Sequence, residues 1–270
     1  MSRKVSYEEH LADLINQALK TSNKEHLAEY LTSNSNLPGP RGNLELAAVF
    51  GNVVEDHAGR EPERLWTLCM ELTQYSPIEA PVNDPKEFLV FCGARGLGAL
   101  GSSPKLFQKA MSRLKELACD PRWRTREGVA MAIQSMLEKQ PQKTLNELEK
   151  WIETDNWLVM RAVAAGVAEP ALLKDEQTAK SAVDLHKKIF AKIVAAQERK
   201  SGEFKTLKQG LGYSLSVVVC AFQRDGFEYM RQLVDMLDTD VQWILRENMR
   251  KNRLVKNFPE EVSLLQRMLI

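Results

Sequence analysis

Three times along this chain an Asp is followed six residues later by an Arg, with a Trp between them. The sets are Asp120/Trp123/Arg126, Asp155/Trp157/Arg161 and Asp240/Trp243/Arg246. Each stands where one apolar helical stretch ends and another begins, as in LKELACDPRWRTREGVAMA, LEKWIETDNWLVMRAVAA and LVDMLDTDVQWILRENMRKN. A single helix pair of this kind cannot cover its own apolar face. Recurrence of the pair predicts a stacked helical-repeat protein, because each unit then buries its face against its neighbours.

The spacing agrees with the content. Asp120 and Asp155 lie 35 residues apart, and Asp155 and Asp240 lie 85 apart, room for two further units with a degenerate one between. Asp84 stands 36 residues before Asp120, and Pro follows both. An Asp at an N-cap accepts from the free N–H groups of the first turn, and Pro is tolerated just inside the helix. Asp84–Pro85 and Asp120–Pro121 are therefore expected to start helices.

Six residues at about 100° each place the Asp and its Arg roughly 240° apart around a helix, so the two should not meet easily within one unit. In a stack each Arg can reach the Asp of the adjacent unit, which predicts a structural ladder of Asp120, Arg126, Asp155, Arg161, Asp240 and Arg246. This pattern resembles the HEAT-type helical repeat, in which an Asp in the inter-helix turn and a basic residue six positions on mark the unit. The resemblance covers roughly residues 62–270. It departs at Val90, six after Asp84, and over 176–222, which has no such set. It implies an all-α, right-handed α-solenoid of about five two-helix repeats over 61–270, with an N-terminal helical cap over 1–60.

The pass along the chain supports helices throughout. Ser6–Lys20 carries Leu11, Leu14, Ile15, Ala18 and Leu19 at three-to-four spacing, one apolar face. Asn23–Thr32 and Leu44–Ala58 follow, separated by the polar SNSNLPGPRG loop at 33–42. Helix pairs are then expected at 62–75/85–100, 104–118/121–139, 143–153/156–168, 176–198/203–222 and 226–237/241–256, with 259–269 closing the end. The segments 76–84 and 198–203 are the expected flexible joints. No sustained apolar–polar alternation calls for a sheet.

Several activities find no footing. The run Gly96/Gly98/Gly101 spells GxGxxG but follows a helical stretch rather than a strand, so it predicts close helix packing, not a dinucleotide site. The four histidines form no HxxxH or HExxH pair, and no nucleophile elbow or phosphate loop occurs. The scattered Cys69, Cys92, Cys119 and Cys220 suit buried thiols of a reducing cytoplasm better than a zinc site or disulfides. The N-terminus lacks a signal-type apolar core, and Leu215–Phe222 is too short to span a membrane. A cytoplasmic protein without metal, small-molecule cofactor or membrane association is expected.

Charge is the functional clue. The five second helices as drawn hold fourteen Lys/Arg against five Asp/Glu in a chain of net +1. Adding the capping Asp84, Asp120, Asp155 and Asp240 lowers that excess from +9 to +5. In HEAT-type arrays these helices line the concave face, so the resemblance implies a basic groove for a protein or nucleic-acid partner. Arg122, Arg124, Arg250, Lys251, Arg253 and Lys256 are the expected anion-binding residues, with Arg250, Arg253 and Asn257 on one helix face. The leading expectation is a binding or scaffold protein. A weaker resemblance is to the HEAT-like DNA glycosylases that excise alkylated bases, in which a Trp/Asp/Arg constellation holds the damaged nucleotide. The acid here is Glu rather than Asp, and the alternative is such a protein, or an inactive relative, acting on duplex DNA. Trp123, Glu127 and Arg161 would take those roles here.

Overall fold

The computed structural model describes residues 3–269, and these are 75% helical with no strand. They fall into two compact units, Met1–Lys139 and Gln140–Ile270. No described helix is long and apolar enough to cross a membrane.

The first unit holds α1 (Arg3–Thr21), α2 (Glu25–Ser33), α3 (Leu44–His57), α4 (Pro62–Leu72), α5 (Glu87–Gly101), α6 (Phe107–Leu117) and α7 (Trp123–Lys139). Its centre is α5, which packs against α2, α3, α4, α6 and α7. All of α5 is buried, which explains why its sequence is apolar on every side. The glycines of the GxGxxG run sit where neighbours come closest. A Cβ on Gly96 would lie 2.6 Å from Cys69 Sγ, one on Gly98 2.4 Å from Ala132 Cα, and one on Gly101 2.5 Å from Ala110 Cβ. These glycines let α4, α7 and α6 approach one central helix.

The second unit holds α8 (Pro141–Ile152), α9 (Trp157–Val167), a short 3-10 turn, α10 (Glu176–Ala195), α11 (Gly202–Ala221), α12 (Gln223–Val234), α13 (Thr239–Met249), α14 (Asn252–Asn257) and α15 (Pro259–Met268). Here α11 lies between α9 and α13, and α10 packs against both α8 and α12 behind them. Three side chains cap the three front helices. Asn156 accepts from Leu158 and Val159 N–H, Ser201 from Phe204 N–H, and Asp238 from Asp240 and Val241 N–H. His186 ties α10 to α11 in the core. Its Nδ1–H donates to the Ala182 carbonyl at 2.8 Å, so Nε2 is left to accept from the Ser214 hydroxyl at 2.9 Å. Burial pushes its pKa down to about 4, only partly opposed by the bond to Ala182.

The structure corrects several expectations. The 241–256 helix is broken, because α13 stops at Met249 and Lys251 takes an extended backbone before α14. Arg250 and Arg253 therefore do not share one helix. Asp155 and Asp240 are not N-caps. Asp155 sits in the turn with φ 51°, and Asn156 does the capping, while Asp240 lies in the first turn of α13 behind Asp238. The 76–84 segment, expected as a joint, is pinned by arginines described below. Cys69 and Cys92 are buried but Cys119 is exposed.

Candidate binding surface

In the first unit four arginines, Arg95, Arg122, Arg124 and Arg126, turn inward. Arg122, only 2% exposed, donates from Nε and Nη2 to the two Asp120 carboxylate oxygens at 2.9 and 2.6 Å. Its Nη1 donates to the carbonyls of Tyr75 and Ala80 at 3.0 and 3.1 Å. Arg124, 4% exposed, donates to Glu87 Oε2 at 3.0 Å, to the Gly39 carbonyl at 2.6 Å and to Asn83 Oδ1 at 3.3 Å. Glu87 itself is wholly buried and also accepts from Asn83 N–H. Together these bonds fasten the 33–43 and 75–86 segments to the start of α7. Arg95 of α5 is also buried, with its guanidinium against Gly51 and Nη2 3.4 Å from Asn52 Oδ1. Burial pushes the Arg95 pKa down, opposed by the charges of Glu55 and Glu138.

Arg122 and Arg124 were expected to hold an anion, and this is corrected. Each is buried and bonded to acceptors of its own fold, with Arg124 Nε enclosed though unpartnered, so neither guanidinium is presented to an incoming phosphate. Arg126, expected to reach past its own unit, donates at 2.6 and 2.9 Å to the carbonyls of Asp120 and Pro121 in its own turn. Main chain and side chain differ here, since the Asp120 carboxylate belongs to Arg122.

In the second unit the cations turn outward. Along α13, Trp243, Arg246 and Arg250 follow at three-to-four spacing and form one stripe. Arg246 and Lys256 are exposed and, among the described residues, form no ion pair. Arg250 is exposed and pairs with Glu247 at 2.8 Å, with Lys251 3.9 Å from the same carboxylate group. The neighbouring stripe on α11 is Lys205, Lys208, Gln209 and Tyr213. Lys208 Nζ lies 4.8 Å from the centre of the Trp243 ring, and a Cβ at Gly212 would lie 3.2 Å from that ring. The Arg253 guanidinium lies 4.5 Å from the centre of the Tyr213 ring and donates to its hydroxyl at 2.6 Å. Tyr213 remains 51% exposed.

A rung joins these helices, though not the expected one. Lys208 donates to Asp240 Oδ1 at 2.7 Å, and Arg199 lies 2.6 Å from Asp238 and 3.4 Å from Asp240. Arg246 takes no part. Counted from its own N-cap, Arg161 is five residues into its helix and Arg246 eight, so the two project differently although each follows an Asp by six. Asp155 pairs with Lys192 of α10 at 3.0 Å. Lys208 and Arg199 were missed because their turn begins with Ser201 rather than Asp. A Ser cap ahead of a helical stretch was the available signal.

The proposed nucleotide-holding residues lie in different units, Trp123 and Glu127 in the first and Arg161 in the second. Trp123 is 40% exposed with the Arg124 guanidinium 4.5 Å over its ring, and Glu127 is half-buried. Arg161 is half-buried, with its stem packed near Gly210 of α11. Trp157 is half-buried and meets Phe204 edge-on at 5.3 Å.

No protein-family model and no curated protein matches the chain. Among solved structures it is similar to a crystal structure of an engineered protein, at 15% identity and a TM-score of 0.31, over 82% of this chain and 96% of that one. So low a score carries no argument.

Proposed function

We propose that this is a helical-repeat binding protein that holds an anionic partner on the α11, α13 and α14 face of its second unit. In this reading α4/α5, α6/α7, α8/α9, α10/α11 and α12/α13 are five HEAT-like pairs, and the anion-binding role falls to the outward cations. The observation that carries it is the exposed cations on neighbouring helices, Lys205 of α11, Arg246 and Arg250 at the end of α13 and Lys256 of α14, beside two partly exposed aromatic rings. A row of unburied like charges raises the local concentration of anions and costs stability through self-repulsion, so it points to a partner rather than to folding. Acidic neighbours offset only part of it, since Glu247 pairs with Arg250 while Asp238 and Asp240 are held by Arg199 and Lys208. The glycosylase-like alternative gains no such support. Arg124, beside Trp123, is buried and committed to Glu87.

The test is equilibrium binding of labelled polyanions to the full chain at low salt. Polyglutamate, a single-stranded oligonucleotide and a duplex serve as probes. At least one should bind, and the Lys205→Gln/Arg246→Gln/Arg250→Gln variant should lose most of that affinity while keeping its helical circular dichroism. Absence of binding to all three probes at about 20 mM salt, where phosphate contacts are strongest, contradicts the proposal.

A further inference from the structure

We propose that the anionic partner is a single strand of nucleic acid, with bases stacked on Tyr213 and Trp243 and phosphates held by the surrounding cations. This rests on the binding surface just proposed and adds to it the role of the rings. Charge alone does not separate an acidic peptide from a nucleic acid. An acidic peptide needs cations and no rings, and a duplex keeps its bases stacked inside, out of reach of surface side chains. Only a single strand offers unpaired base faces together with a phosphate backbone, and proteins that hold single strands combine a basic track with aromatic platforms.

The α11–α13 face has that combination. Tyr213 and Trp243 come from adjacent helices, and each ring has a cation on it, Arg253 at 4.5 Å and Lys208 at 4.8 Å. Each cation is drawn to one face of its ring, so a base would stack on the opposite face. Next to Trp243 lies a concavity of about 350 Å³, lined by Arg199, Lys200, Phe204, Lys205, Lys208 and Asp240 among others. That is within the roughly 300–1,000 Å³ of small-ligand sites. Lys200 and Lys205 are exposed there and, among the described residues, form no ion pair, so both are open to phosphate. Arg246 and Arg250 continue the basic track along α13 beyond Trp243.

Single strands with little sequence preference are the expected ligands, because stacking uses the face every base has. The test compares oligo(dT), a duplex of equal length and polyglutamate on the full chain and on two variants. Tyr213→Ala removes a half-exposed ring at little risk to the fold, and Trp243→Leu removes the second. Oligo(dT) should bind most tightly, and each substitution should weaken it by about 5- to 100-fold. Duplex and polyglutamate binding should change less than about twofold, since their contacts are to charge. Oligo(dT) affinity unchanged by Tyr213→Ala, or polyglutamate binding tighter than oligo(dT), overturns this inference and leaves the anion-binding surface standing. Failure of all three probes to bind overturns both.

Discussion

In the first unit Arg95, Arg122, Arg124 and Arg126 are buried and Arg122 and Arg124 close loops, whereas in the second unit Arg246, Arg250 and Lys256 stand in solvent. Both groups lie on helices or at their ends, and a count of charges along the sequence treats them alike. What separates them is the backbone around them. Arg122 and Arg124 meet the carbonyls of Tyr75, Ala80 and Gly39, which loops carry to them from 42 to 85 residues away. Among the described residues, Arg246 and Lys256 meet no such carbonyl and stay exposed. An arginine's planar fork suits both roles, and only the presence of carbonyl and carboxylate acceptors decides between them.

The comparison breaks first at Glu87. If the first unit depends on its inward charges, Glu87→Ala strands Arg124 and should destabilise the protein by about 3–5 kcal/mol in urea unfolding. The same experiment on Arg250→Ala should give a change within about 0.5 kcal/mol, as for other exposed positions. Equal effects would erase the distinction between the units.

The next effect belongs to the core of the second unit. His186 is buried and neutral, with its pKa held at about 4, below the ordinary 6.5. The unfolded chain therefore takes up the proton first. Stability contributed by the neutral ring is complete above about pH 6.5 and is lost as pH falls towards 4, on the order of 3 kcal/mol in all. Unfolding curves from pH 8 to 4 should show that decline, and His186→Leu should flatten it.

The smallest effect concerns the caps. Asn156→Ala should cost about 1 kcal/mol, because two N–H groups of α9 lose their acceptor. Asp155→Gly should cost less than Asn156→Ala, since glycine accepts the positive φ and only a surface ion pair to Lys192 is lost. Thermal melts of the two variants rank them, and the reverse order would restore Asp155 as the cap.

Much of the helical architecture was legible beforehand. Helices expected at 44–58, 121–139, 156–168 and 203–222 occur at Leu44–His57, Trp123–Lys139, Trp157–Val167 and Gly202–Ala221. Apolar spacing and polar caps are local signals, carried within a few residues. The break after Met249 had no Pro or Gly to announce it. The ladder was less legible, because matching Asp to Arg by sequence offset ignores where each helix begins. Aligned on their caps, Trp243 rather than Arg246 stands five residues in, as Arg161 does on α9. Of the six expected anion-binding residues, Arg122 and Arg124 depended on distant loops, and Lys205 and Tyr213 of α11 and Arg246 of α13 were absent from that set because a single helical turn shows neither its neighbours nor its exposure.

The most direct test of the contrast between units is the salt dependence of oligonucleotide binding to paired variants. Each phosphate contact to a single strand contributes about 0.7 to the slope of log affinity against log salt concentration. Arg246→Gln/Arg250→Gln in the second unit should lower that slope by about 1.4 if both side chains touch phosphate. Removing two exposed cations of the first unit, as in Arg41→Gln/Lys86→Gln, should leave it unchanged. A slope that ignores Arg246 and Arg250, or that falls equally in both variants, would contradict a binding surface confined to the outward cations of the second unit.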